Sequence, residues 1–417
     1  MSLLYGDPPR AHLLQDCNQG RDSEELIPML QTLAVENYRS LRSLVVRLGR
    51  LNVIKGVNGS GKSNLYKALR LLADTATGGI VRSLASEGGL QSTFWAGPEK
   101  ISRQMRAGRT PIQGTVRKDP VRLKLGFSGE DFGYCITMGL PLPPRLSNSA
   151  FSLDPEIKRE CIWSGPVSKP ERILVDRNGP AVRARTENGW QTITDGLGLF
   201  ESMLFQIADP NNVPEILLMR ERIRSWRFYD QLRTDAEAPC RIPKLGTRTP
   251  VLSHDGADLA SAIQTILEIG DEEAVAESID AAFPGASVRV EPQPDGRFVL
   301  EFVQPGLLRP LTGAELSDGT LRYLLWIAAL LTPRPPSMMV LNEPETSLHP
   351  ELLAGLAGLI QKAAESTQVW VVTHSPVLVS ALTQNADTHV IELEKELGQT
   401  EVKGQELLKR PEWRWVE

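Results

Sequence analysis

Around residue 56 the pattern of apolar positions changes character. "LNVIKG" (51–56) is a short, nearly continuous apolar run, the pattern of a strand buried on both faces. A glycine-rich stretch follows, and then "SNLYKALRLLAD" carries leucines at helical spacing. From about 112 to 195 the pattern becomes alternating. "VRLKLGFSGEDFGYCITMGL" and "ERILVDRNGPAVRARTENGWQTI" read as antiparallel hairpins with turns at "SGED", "RNGP" and "ENGW". Between them lies a loop rich in proline and serine, "PLPPRLSNSAFSLDP". Residues 198–235 and 257–283 read as helices, and "SVRVEPQPDGRFVLEFV" as a further hairpin. From 320 to 396 helix and strand alternate: "TLRYLLWIAALL", "SMMVLN", "PELLAGLAGLIQKAAES", "QVWVVTH", a helix, then "THVIEL". That order predicts an α/β fold with right-handed crossovers.

These shifts divide the chain into an N-terminal extension at 1–28, a lobe I at 29–197 with an antiparallel β subdomain, and a helical region at 198–284. A lobe II at 285–396 and a C-terminal tail at 397–417 complete it. No internal repeat and no long heptad run stand out.

Composition narrows the class. With 417 residues, 41% hydrophobic and 23% charged, the chain can build a large core. Its net charge of −5 excludes coating of nucleic acid by bulk charge, while leaving room for a local basic groove. Cys17, Cys135, Cys161 and Cys240 lie far apart in sequence, which points to a reducing, cytoplasmic setting. No apolar run reaches the roughly 18 residues of a membrane span, so no membrane association is expected.

Two stretches are basic. Lys100, Arg103, Arg106 and Arg109 recur every three residues, as on one helix face. Arg220, Arg222, Arg224, Arg227 and Arg233 are interleaved with Trp226, Phe228 and Tyr229, a mixture that suits nucleic acid, although a solvated amphipathic helix with its aromatics in the core is the commoner arrangement.

Four short motifs carry candidate chemistry. "GVNGSGKS" (56–63) matches G-x-x-x-x-G-K-[ST], with a strand before and a helix after. Gly56, Gly59 and Gly61 let consecutive N–H groups face a phosphate, Lys62 reaches the β and γ phosphates, and Ser63 ligates Mg²⁺. "LNEPE" (341–345) puts Glu343 at a strand end, where it can polarise an attacking water. Asn342 stands where an aspartate usually holds a metal-bound water; its amide oxygen can accept the same hydrogen bond without the charge. "ELSDGTLRYLLW" (315–326) opens a helix at Ser317, and "VVTHS" (371–375) ends a strand at His374. Alone, the third is an ordinary helix cap and the fourth an ordinary strand end.

In this order the four motifs resemble the ATP-binding-cassette type ATPase head, in the RecF/SMC-like branch of AAA-family ATPases, over about residues 29–396. The resemblance implies a P-loop NTPase head of α/β class, with a mixed sheet and an inserted helical region. It implies binding of ATP with Mg²⁺ by Gly56, Asn58, Gly59, Ser60, Gly61, Lys62, Ser63 and Asn64, with Ser63 and Asn342 on the metal side. Glu343 becomes the catalytic glutamate, aided by Lys62, Thr346–His349 a D-loop and His374 a switch histidine. Ser317 and Gly319 become a signature that contacts ATP held by a second subunit, so ATP closes a homodimer. The metal-sensing glutamine stays open among Gln91, Gln113 and Gln206. Two functions follow: a slow ATPase acting on or near DNA in repair, replication or phage defence, or a nucleotide-gated regulator that recruits a separate effector protein. No nuclease domain is expected after His374.

Overall fold

The chain enters as two antiparallel strands, β1 (Leu30–Tyr38) and β2 (Leu41–Arg47), and then β3 (Leu51–Lys55), which leads into helix α1 (Lys62–Thr75) and a shorter α2 (Ile80–Ser86). This computed structural model describes residues 29–98, 103–106, 109, 120–141, 151, 153–230, 232–405 and 410–416. The extension at 1–28, Cys17, Lys100, Gln113 and the side chains of Arg103 and Arg106 lie outside the described residues.

The alternating segments form one antiparallel sheet. Strands β4 (Leu123–Gly129), β5 (Phe132–Gly139), β6 (Glu156–Ser164), β7 (Ile173–Asn178), β8 (Ala181–Thr186) and β9 (Gly189–Thr194) add to β1 and β2 in the order β2-β1-β4-β5-β6-β7-β8-β9. Inside it, Glu160 and Arg177 are fully buried and paired at 2.6 Å. Tyr134, Ser202 and the Met203 N–H also donate to Glu160, and Arg177 donates to the carbonyls of Gly179, Gly198 and Glu201. A buried ion pair is tolerable only when its remaining donors and acceptors are satisfied in this way.

The second half supplies α3 (Pro214–Ser225), β10 (Arg227–Tyr229), β11 (Lys244–Leu245), α4 (Leu259–Ile269) and α5 (Glu272–Ala282). It continues with the hairpin β12 (Ser287–Pro292) and β13 (Arg297–Val303), then β14 (Leu311–Thr312) and α6 (Asp318–Leu330). Next come β15 (Met338–Asn342), α7 (Leu352–Ala364), β16 (Gln368–Val372), α8 (Pro376–Leu382), β17 (Thr388–Glu396) and β18 (Gln399–Val402). The central sheet runs β10-β15-β16-β3-β17-β18, parallel except for β18.

Successive side chains leave a strand on opposite faces, and this sheet uses both. Ile54, Val340 and Phe228 join the core under α1 and the antiparallel sheet. Val53, Leu341 and Tyr229 join a second core with α4, α5, α6 and α7.

The structure departs from the sequence expectation at 198–235. Helix stops at Ser225, and Arg227–Tyr229 becomes the edge strand of the parallel sheet. Aromatic neighbours that must be buried on two faces fit a strand, whereas one helix face cannot take both. The cysteines also differ from the scattered picture: Cys135 and Cys161 are direct partners across β5 and β6. The C-terminal residues pack on the body, with the Trp413 ring 5.7 Å from Trp163 and 5.2 Å from Trp415.

Candidate functional site: the carboxyl edge of the parallel sheet

In parallel α/β sheets ligands bind beyond the carboxyl ends of the strands. Here β3, β15 and β16 bring Gly56, Asn342 and Thr373 to one edge, with β16 between the other two. Sequence order alone does not give that adjacency.

After β3 the chain turns through Gly56 at φ 155° and Gly61 at φ 109° into α1. A Cβ at Gly56 would come 2.4 Å from the Leu393 carbonyl oxygen, and one at Gly61 would come 2.0 Å from Thr400 Oγ1. Glycine is therefore required twice over, by backbone angle and by close approach. Asn58 and Gly59 are exposed at the loop tip, and Ser63 is exposed in the first turn of α1. Lys62 folds back over the loop, with Nζ donating to the carbonyls of Gly56 (2.6 Å) and Val57 (3.2 Å). Burial pushes the Lys62 ammonium below its ordinary pKa, and the nearby Glu343 carboxylate opposes that shift.

Ser60 and Asn64 have roles inside the protein. Ser60 is fully buried, its N–H donates to the Val57 carbonyl, and its hydroxyl lies beneath Gly56 without a partner. Asn64 Nδ2 donates to Ser40 Oγ (2.8 Å), Ser40 Oγ bonds Thr400 Oγ1 (2.6 Å), and Thr400 Oγ1 donates to the Ser60 carbonyl (2.8 Å). The Thr400 N–H returns to the Ser40 carbonyl. This relay holds the loop from below. Sequence reasoning missed Ser40 and Thr400, because no local pattern marks two residues that distant in the chain.

At the acid side, Asn342 ends β15 half-buried, opposite Val372. Glu343 follows in the left-handed region (φ 48°), with its N–H on the Val372 carbonyl at 2.7 Å. A non-glycine residue in that region is strained and needs its surroundings to hold it there. The turn exposes the carboxylate, and His374 Nε2 lies 3.3 Å from Glu343 Oε1. Glu345, also missed, holds the histidine side of the pair. Its Oε1 accepts from Thr373 Oγ1 (2.6 Å) and from the N–H groups of His374 (2.9 Å) and Ser375 (3.1 Å). By the parallel register Asp230 follows β10 beside Asn342, but Arg70 of α1 takes that carboxylate at 2.9 Å.

Ser317 caps α6 with its hydroxyl on the Thr320 N–H (3.2 Å) and is exposed. Gly319 packs against the Ser347 carbonyl, so the start of α6 touches the Thr346–His349 turn. Trp326 Nε1 donates to the Pro344 carbonyl and ties the same helix to the end of the acidic turn.

Of the candidate glutamines, Gln206 lies away from the loop. Its neighbour Phe205 packs on Gly78, past the far end of α1, a helix about 21 Å long. Gln91 is exposed on a short turn whose Thr93 carbonyl accepts the Arg39 N–H at 2.7 Å, beside Ser40.

The second basic stretch does not present stacking rings. Trp226, Phe228 and Tyr229 are 1–3% exposed. Arg222 is paired with Asp131 and Arg233 with Asp235, while Arg224 and Arg227 donate to backbone carbonyls. Of the first stretch, one helical turn at Arg103–Arg106 is described.

A glycine loop before a helix, beside a strand-end glutamate and histidine on a parallel sheet, defines the nucleotide-binding fold of a P-loop ATPase. The chain belongs to the family described as "AAA domain, putative AbiEii toxin, Type IV TA system", matched over residues 51–173 and 207–380. No curated protein matches it in sequence. Among solved structures, an Smc head bound to the C-winged helix domain of ScpA shares 13% identity at a TM-score of 0.48, covering 92% of this chain and 99% of that one. The SMC head domain from Thermotoga maritima shares 14% at 0.42, covering 91% and 99%. An Smc head with an extended coiled coil from Pyrococcus furiosus, bound to the C-terminal domain of ScpA, shares 13% at 0.46, covering 92% and 97%. Among the described residues no helix is long and apolar enough to cross a membrane.

Proposed function

We propose that this chain is a slow, Mg²⁺-dependent ATPase that closes a homodimer around ATP in the cytoplasm. One observation carries the reading: the Glu343–His374 pair, 3.3 Å apart, at the sheet edge that also holds the Lys62 loop. The residues fit the group. Left-handed glycines open the loop amides, and Lys62 Nζ is held over the loop by carbonyls that a phosphate can replace as its partner. Ser63 and Asn342 offer oxygen donors suited to Mg²⁺ and its waters. Bound Mg²⁺ supplies charge neutralisation at the phosphates. Glu343 orients and deprotonates water, and His374 steadies the carboxylate. Ser317, exposed, and Gly319, half-buried beside it at the start of α6, are the surface for the ATP of a second copy.

The test measures ATP turnover and oligomeric mass with and without ATP, Mg²⁺ and duplex DNA. A monomer at saturating ATP, with Glu343→Gln in place to block turnover, removes the dimer reading. The second reading is a nucleotide-gated regulator that recruits an effector protein without DNA. It is favoured by the commitment of Arg222, Arg224, Arg227 and Arg233 to contacts within the chain. DNA-stimulated turnover decides for action on DNA; ATP-dependent capture of an effector with no DNA effect decides for the regulator.

A further inference from the structure

A carboxylate stands where the composite site has no need of one. Asp318 is the first residue of α6, beside Ser317, and its side chain is 57% exposed. A helix start favours an anion, because its free N–H groups and its dipole are positive there. Asp318 fills that role itself, and a phosphate brought to the same helix start meets a like charge.

Arg241 answers that charge. Its Nη2 donates to Asp318 Oδ1 at 2.7 Å. The guanidinium is not held there by Asp318 alone. With its side chain 8% exposed, it also donates to the carbonyls of Leu316 (2.7 Å), Thr234 (2.7 Å) and Gly313 (3.0 Å). Two of these belong to the loop that leads into α6, and the third to the segment after β10. Backbone therefore fixes the cation, and it stays in place when the carboxylate is removed. With Asp318 open to water, its pairing with Arg241 contributes little to folding. A cation fixed beside an anion-accepting helix start acts instead on what approaches it.

We infer that Arg241 is a positioning and charge-neutralising residue for the Ser317 contact with a nucleoside triphosphate held by a second copy of this chain. It holds residues 313–317 in the shape that presents Ser317 and Gly319, and it offsets the Asp318 carboxylate that repels the triphosphate. This rests on the ATP-closed dimer proposed above.

The experiment follows dimerisation by sedimentation against concentration of a non-hydrolysable ATP analogue with Mg²⁺. Binding of a fluorescent analogue to the monomer is measured in parallel. Asp318→Asn should lower the dimerisation midpoint about threefold, the size of one exposed charge contact. Arg241→Met should raise it about tenfold, as loss of a fixed charge partner does. The double variant should recover the charge part of that loss, about threefold, and keep the positioning part, since only the charge effects of the two residues are coupled. Nucleotide binding to the monomer should be the same in all. An unchanged midpoint in Asp318→Asn overturns the proposal, and that variant decides the matter even if Arg241→Met fails to fold. A double variant no better than Arg241→Met also overturns it and leaves Arg241 a structural staple. A wild type that stays monomeric at saturating nucleotide, yet binds it, sinks the dimer reading and this inference together.

Discussion

Glu343 and His374 leave different strands and meet with Oε1 3.3 Å from Nε2. Glu345 sets the meeting by accepting the His374 N–H, while Glu343 is held at positive φ by the Val372 carbonyl. Groups that act as a unit are not additive when removed. Glu343→Gln should lower turnover by about 10²–10⁴-fold, His374→Ala by less, and the double variant hardly further than Glu343→Gln. Steady-state turnover with ATP affinity measured separately checks this; fully additive losses count against a coupled pair.

In the proposed Mg²⁺ site, Asn342 brings a neutral amide where a carboxylate would add one negative charge. Changing a group that orients a metal's ligands typically costs about 10- to 100-fold in metal affinity or activity. Asn342→Asp should therefore lower the Mg²⁺ concentration for half-maximal turnover by about tenfold or more. If the aspartate variant needs as much Mg²⁺ as the parent, the proposed role of the amide at this position fails.

The relay Asn64–Ser40–Thr400–Ser60 predicts a nucleotide-binding defect far from the loop in sequence. Thr400→Val keeps the shape and removes both hydroxyl bonds. It takes that donor from the buried Ser60 carbonyl, a cost of about 1–3 kcal/mol, and leaves the Ser40 hydroxyl with Asn64 alone. Calorimetric titration should show ATP binding weakened about tenfold, with the melting temperature lowered by a few degrees. Undiminished ATP affinity would mean that the loop keeps its shape without β18.

Glu315 precedes the α6 start and should resist acid. The Arg309 guanidinium, then the Thr312 N–H and hydroxyl, hold its carboxyl at about 2, below the ordinary 4.5. A carboxylate with depressed pKa contributes stability above its unfolded value and loses it as pH falls through the folded one. The window is therefore between about 4.5 and about 2. The Glu315 carboxyl carbon, followed by NMR, should still report the ionised form at pH 3. Arg309→Met should move the midpoint up toward 4.5.

Arg222 is consumed by Asp131, and the rings around it are buried. Arg222→Glu should lower the melting temperature and leave DNA affinity, whatever its value, unchanged at matched folded fraction. A lost salt-dependent DNA interaction in a variant that stays folded would restore the nucleic-acid role to this helix.

The local parts of the site were legible because consecutive residues constrain their own backbone. Three glycines, a lysine and a serine between an apolar strand and a helix leave little choice but a phosphate loop. "LNEPE" after an apolar run likewise specifies a strand that ends in a carboxylate. The hairpins of β4–β5 and β12–β13 declare themselves by alternation and turn residues.

What only the tertiary structure decided is which distant ends meet. Placing β16 between β15 and β3 brings His374 to Glu343, and placing β18 under the loop brings Thr400 to Ser60 and Ser40. The same packing decided between the two readings of Trp226, Phe228 and Tyr229 and made them core, since burial depends on what covers a strand and not on the strand's own letters. Strand order and cover arise from contacts between residues hundreds of positions apart. A pattern read over ten or twenty residues holds the periodicity of an element but not the identity of its neighbours.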